Sequence, residues 1–310
     1  MKHNIHLYFK SVSFLLILCI ILLAGSYVFH PKDNRMEAGM EELAANGILG
    51  ERKNSIDVLF LGDSEAVASI SPMELFKEYG FTSYVCATTG QSLYTTYRFL
   101  VRALSNQSPK VVVLETDALF QGISLDECLL SDLSILFPFF QYHNRWKSLT
   151  LADFTSPISY TWTDDFKGYN SSSKVEAADP TGYMVPSDHV QEIESLTLMY
   201  LKRIKNYCQS RGIPLLLVST PSTKNWNYPR HNGVVQATTK EDLPYLDLNL
   251  ITDELVIDWN TDTRDKGDHL NDSGAKKVSA YLGNFLREMY QLPDHRSDSA
   301  YLSWEQALNQ

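Results

Sequence analysis

The sequence predicts an α/β protein: a mainly parallel sheet covered by helices on both faces, preceded by one N-terminal transmembrane helix. Three observations carry this. From residue 56 onward, short apolar runs rich in strand formers alternate with longer segments of helical spacing, the pattern of parallel strands joined by helices. The clearest runs end in Gly, Asp, Ser or Thr, as at Gly62-Asp63-Ser64 and Thr88-Thr89-Gly90, which is turn chemistry. Ahead of them lies an uncharged apolar stretch long enough to cross a bilayer.

That stretch comes first in the chain. Ser11 to Phe29 contains 19 residues and no charge, about 28 Å as a helix against a hydrocarbon core of about 30 Å. It is long for the apolar region of a cleaved signal peptide, so an uncleaved anchor over residues 1–32 is expected. Lys2 and Lys10 precede the span and Lys32 and Arg35 follow it. As the first segment, it is expected to leave its N-terminus inside and the large domain outside. Residues 33–55 read as a linker or short helix leading off the membrane.

The elements then follow in order. Ile56 to Leu61 is a first strand. Ser71-Pro72 starts a helix, with a capping Ser and a Pro at its first position, and Gly80 stops it. Ser83 to Ala87 is a second strand, Ser92 to Asn106 a helix, and Lys110 to Leu114 a third strand. Residues 119–188 break the rhythm with many aromatics and read as an insertion above the sheet. A helix from Val190 to Gln209, strands at Ile213–Thr220 and Leu243–Leu248, and a helix from Asp272-Ser273 complete a domain over 56–290. Residues 291–310 read as a polar tail.

Composition excludes several function classes. The net charge is −10 with no basic block, so nucleic acid is not an expected partner. Cys19, Cys86, Cys128 and Cys208 form no CxxC pair, so neither a zinc site nor a redox motif is implied. Asp258, Asn260 and Asp262 have the opening spacing of a calcium loop, but Thr263 stands where its Gly is needed. No metal or organic cofactor is expected.

The chemistry gathers where strands end, because sites in parallel sheets sit at the carboxyl ends of the strands. Ser64 follows the first strand at the start of a helix, the setting of a serine nucleophile. Such a serine needs a histidine base oriented by a carboxylate. Of the eight histidines, His269 has the matching context: it follows the last strand, precedes the last helix, and has Asp265 and Asp268 within four residues.

These pieces resemble the SGNH, or GDSL-like, hydrolase superfamily over roughly residues 56–290. Gly62-Asp63-Ser64 is similar to its first block, Gly90 to the oxyanion glycine of its second, and Asp265 to His269 to its last. The resemblance implies a three-layer flavodoxin-like fold, with Ser64 as nucleophile, His269 as base, and the Ser64 and Gly90 N–H groups as oxyanion donors. Tyr142 to Trp146, Lys167-Gly168-Tyr169 and His269 to Ala275 resemble a membrane-anchored, extracytoplasmic branch. Its members work beside polytopic membrane acyltransferases in decorating cell-wall polymers, as in D-alanylation of teichoic acid or O-acetylation of glycans.

Two departures from the pattern matter. The third block of the superfamily carries an oxyanion Asn, whereas here the strand ends in Glu115-Thr116-Asp117. An ionised Asp cannot donate, which leaves Thr116, or Gln91 and Ser92 beside Gly90, as candidate donors. The last block places Asp three residues before His, where this chain has Lys266. Asp265 orients the imidazole if the Lys-Gly turn bulges, and Asp268 is the alternative. The expected function is an anchored serine esterase or O-acyltransferase acting on an acylated cell-envelope polymer or acyl donor, with His143 to Trp146 holding the acceptor. The alternative is a non-catalytic partner of a polytopic membrane acyltransferase.

Overall fold

A computed structural model describes residues 2–308. Five parallel strands form one sheet: β1 (Val58–Gly62), β2 (Ser83–Ala87), β3 (Val111–Glu115), β4 (Leu215–Ser219) and β5 (Tyr245–Asp247). Their spatial order is 2-1-3-4-5, the flavodoxin-like order. Register pairs Gly62 with Ala87 on one side, and Leu61 with Leu114 on the other. The sheet therefore reverses direction of growth at β1, and the ends of β1 and β3 lie side by side at that point.

Alternation along the strands feeds two cores. Leu59, Leu61, Val112, Leu114 and Leu217 enter one, while Val58, Phe60, Val111, Val113 and Val218 enter the other, as the period of two requires. Helices α1 (Lys2–Phe29), α2 (Ser64–Ser69), α3 (Pro72–Tyr79), α4 (Leu93–Ala103), α5 (Leu125–Leu136), α6 (Ser195–Gln209), α7 (Tyr228–Glu241) and α8 (Asp272–Tyr290) follow in order. Helices α4 and α6 supply the first core and α8 the second. Helix α3 starts from the Ser71 cap with Pro72 behind it and stops at Gly80, as the sequence predicts.

Three segments depart from expectation. Residues 33–55 are no free linker: Met40, Ala45, Ile48 and Leu49 join the core, and buried Asn34 donates to Asn46 and Trp162 carbonyls. The polar tail folds back, with Trp304 buried against Phe76 and His295 2.9 Å from Asp57. In both, scattered apolar side chains find the sheet, which local polarity conceals. Helix α7 was not expected, because its apolar stripe is thin. It opens on an Asn227 cap with Pro229 in its first turn, the same signature as at Ser71-Pro72.

Among the described residues, one helical stretch is long and apolar enough to cross a membrane: His6–Phe29, 24 residues with mean hydropathy 2.6. Cys19 on it is exposed, and the other three cysteines are buried free thiols.

Candidate active site

The site begins with the turn out of β1. A Cβ on Gly62 would lie 2.7 Å from that of Glu115 and 3.0 Å from that of Ala66, so only glycine lets the chain pass there. Asp63 then caps α2, its Oδ1 accepting from the Glu65 N–H at 3.0 Å. Ser64 is the first residue of α2 and is half-buried. Its helix packs against the two-residue strand His269–Leu270.

The His269 loop is shaped by three consecutive left-handed residues, Asp265, Lys266 and Gly267, with φ of +55°, +62° and +86°. That bulge brings Asp265 back under the ring. Its Oδ2 lies 3.0 Å from His269 Nδ1, and its Oδ1 accepts from the His269 N–H at 3.0 Å. Asp268 Oδ2 stands 3.9 Å from the same nitrogen, outside hydrogen-bond range. Asp265, and not Asp268, is thus the carboxylate bonded to the ring. His269 Nε2 is buried and has no hydrogen-bond partner, an expensive state unless something else is meant to bond it.

Sequence reasoning missed what joins the two loops. Asn225 Nδ2 donates to Glu65 Oε1 at 2.8 Å and to Asp268 Oδ1 at 2.7 Å. One amide therefore clamps the residue after Ser64 to the residue before His269. Arg230 holds this clamp from behind, bonding the Asn225 carbonyl and the Asp117 carboxylate. Gln121 closes the circuit, donating to Asp63 at 2.8 Å and to Asp117 at 3.0 Å. The partners lie as far as 160 residues apart, a spacing that no local pattern reveals.

Four carboxyls crowd this floor: Asp63, Glu65, Glu115 and Asp117, all buried. Burial pushes the Glu65 carboxyl well above its ordinary range, and the Asp117 charge adds to it. Asp63 is raised by burial and then by Asp117, and Glu115 by burial and then by Asp63. With one guanidinium nearby, Asp63, Glu65 and Glu115 hold protons that free carboxyls would release. Glu65, Asp268 and His269 bring one ligand atom each within 4.8 Å of one another, a spacing that suits a divalent cation. The Asn225 amide already bridges both carboxylates and Asp265 takes Nδ1, so the grouping reads as a hydrogen-bonded network.

The expected oxyanion side chains are placed otherwise. Thr116 is fully buried and shares its hydroxyl with Ser219. The Gln91 amide donates to Thr96 at 3.0 Å and accepts from Thr88 at 3.0 Å, within its own loop. Gly90 sits on the exposed turn after β2, with open space where a side chain would be. Nor do His143 to Trp146 line the groove beside α2. That groove, of about 490 Å³, is walled by Val67, Thr88, Tyr169, Asn170 and Ser171 among others. The His143–Lys147 turn packs instead at the exit of α1, where Arg145 bonds the Phe29 carbonyl.

No protein-family model matches the chain, and no curated protein does either. Solved structures do. A lipase/acylhydrolase from Enterococcus faecalis is similar at 12% identity, covering 77% of this chain and 98% of that one, with TM-score 0.41. A GDSL-like lipase from Bacteroides thetaiotaomicron is similar at 12% identity, covering 75% and 88%, with TM-score 0.38. A two-domain esterase active on acetylated mannans is similar at 15% identity over 80% of this chain and 53% of that one, with TM-score 0.41. At these scores the site is read from its own geometry.

Proposed function

We propose that this chain is a membrane-anchored, extracytoplasmic serine esterase or O-acyltransferase of SGNH type, acting on acyl groups of cell-envelope glycans or teichoic acids. One observation carries the reading. His269 is oriented by Asp265 at 3.0 Å, keeps its other nitrogen buried and unpartnered, and stands on the strand packed against the Ser64 helix.

The chemistry follows from those positions. His269 Nε2 takes the proton of the Ser64 hydroxyl as its oxygen attacks the acyl carbonyl, and Asp265 stabilises the resulting imidazolium. Backbone N–H groups at Ser64 and Gly90 receive the oxyanion, since the Thr116 and Gln91 side chains are committed elsewhere. The tetrahedral intermediate collapses as His269 returns the proton to the leaving oxygen. Acyl-Ser64 then passes to an acceptor hydroxyl or to water, with His269 again as base. The groove past Val67 and Tyr169 is the path for the acceptor. A polytopic membrane acyltransferase is the expected source of the acyl group.

Packing at the end of α1 supports an uncleaved anchor. Ser26 is buried, and a Cβ on Gly25 would lie 3.3 Å from the Phe139 ring, so the last turns of the span are built into the domain. The second reading, a non-catalytic partner of a membrane acyltransferase, is favoured by the missing side-chain oxyanion donor. Turnover of short-chain aryl esters by the purified full chain in detergent separates the two. The enzyme reading expects hydrolysis that Ser64→Ala abolishes. Equal rates in both proteins contradict it.

A further inference from the structure

Helix α5 is amphipathic in the wrong sense for a free surface. Cys128, Ser131 and Ser134 turn inward, while Leu125, Leu129, Leu130, Leu133 and Leu136 are exposed. At 100° per residue those five leucines fall on one arc of about 140°. Small side chains face the protein and the large apolar ones face out, with the first-turn carboxylates Asp126 and Glu127 the exposed polar exceptions. A face of this kind marks an interaction surface.

Its position says what covers it. Directly after Leu136, the turn Phe139–Tyr142 packs on the last turns of α1. Phe139 meets Phe29 edge to face at 5.1 Å, and its N–H donates to Ser26 Oγ at 3.3 Å. On the same exit, the turn Leu151–Thr155 also packs on α1, and Tyr27 donates to the Ser156 carbonyl at 3.0 Å. The span of 24 residues is about 36 Å long, more than the hydrocarbon core of about 30 Å. Elements bonded to its last turns therefore stand at headgroup depth. There the chain exposes Leu136 (68%), Leu151 (78%), Phe154 (54%) and Trp146 (63%). Lys147 lies 5.2 Å over the Trp146 ring, the aromatic and cation pairing of a bilayer interface.

We infer that the segment from Leu125 to Phe154 is a second membrane contact, a foot whose leucine face and flanking aromatics enter the headgroup and acyl boundary of the leaflet from which α1 emerges. The inference rests on the anchor reading above. The foot fixes the domain at one height and tilt on the bilayer, so that the Ser64 site keeps one distance from the leaflet rather than sweeping freely on a tether.

The test uses the full chain in phosphatidylcholine and phosphatidylglycerol vesicles. A thiol-reactive bimane on native Cys19 reports α1. In a Cys19→Ser background, Leu133→Cys and Leu151→Cys report the two sides of the foot, and Lys240→Cys reports a solvent-facing site. Phosphatidylcholine brominated on its acyl chains is expected to lower emission about twofold or more at Cys19 and at both foot positions, and to leave the Lys240→Cys signal unchanged. Quenching at Cys19 with none at either foot position overturns the foot and leaves the anchor standing. No quenching at any position overturns both. Foot positions shielded from aqueous iodide yet blind to brominated lipid mean that a protein covers the face, which also overturns the inference.

Discussion

Two of the histidine–aspartate pairs in this domain, both made through Nδ1, have nearly the same local geometry. His269 Nδ1 stands 3.0 Å from Asp265, and His231 Nδ1 stands 2.7 Å from Asp247. Their surroundings separate them. Asp247 is a sink: it also accepts from Trp226, Tyr245 and Asn249, and its side chain is 2% exposed. That pair ties α7 to β5. Asp265 is 42% exposed, held on a strained left-handed turn, and serves a ring whose second nitrogen is buried without a partner. A short His–Asp contact alone is thus a poor guide to catalysis. What marks the candidate base is the buried polar atom left unsatisfied on a strand packed against the Ser64 helix.

That contrast breaks first at the rings. Removing the base with His269→Gln is expected to lower ester turnover by about 10³-fold or more, while His231→Gln leaves turnover within about twofold and costs on the order of 1–3 kcal/mol of stability. Steady-state rates and thermal melts of the two proteins, side by side, decide it. Equal losses of activity would dissolve the distinction.

The carboxylates sharpen it. Asp265→Asn is expected to cut kcat about 10²-fold, less than for a buried orienting Asp because solvent screens the exposed one. Asp268→Asn, one step out of hydrogen-bond range, is expected to cost about tenfold or less. A reversed order would assign orientation to Asp268.

Next comes the clamp. Asn225→Ala leaves Glu65 and Asp268 facing each other without a shared donor. A fall in kcat of about tenfold is expected, with KM little changed. Asn225→Gln is expected to recover part of it. A loss confined to melting temperature would make Asn225 merely structural.

The smallest effect is in pH. Asp63, Glu65 and Glu115 have raised carboxyl pKa values through burial. Their contribution to stability is fully present below the ordinary carboxylate range and is lost as pH rises toward the raised values. Melting temperature is therefore expected to climb as pH falls from 8 toward 5. Glu115→Gln is expected to flatten that slope, and an unchanged slope would contradict the assignment.

How much of this was legible in the residues follows the range of the interactions. Strand β2 was read at its observed bounds, and α3 at its caps, because both rest on local turn chemistry. The Asp265–His269 pairing was readable as a bulge, since four residues span it. Arg230, Gln121 and Asn225 were invisible, because their partners are distant in sequence and their own neighbours look like ordinary surface. The groove wall at Tyr169 to Ser171 was hidden inside an aromatic-rich insertion whose other half packs on the end of α1. There, similar side chains do different work according to what they pack on.

The central claim is that Ser64 and His269 act as one nucleophile. Labelling of the full chain with a fluorophosphonate, followed by peptide mapping, tests it most directly. The account predicts a single adduct on Ser64, formed at least about 10²-fold more slowly in His269→Gln. A wild-type chain that stays unlabelled, or a label that persists in Ser64→Ala, would contradict it.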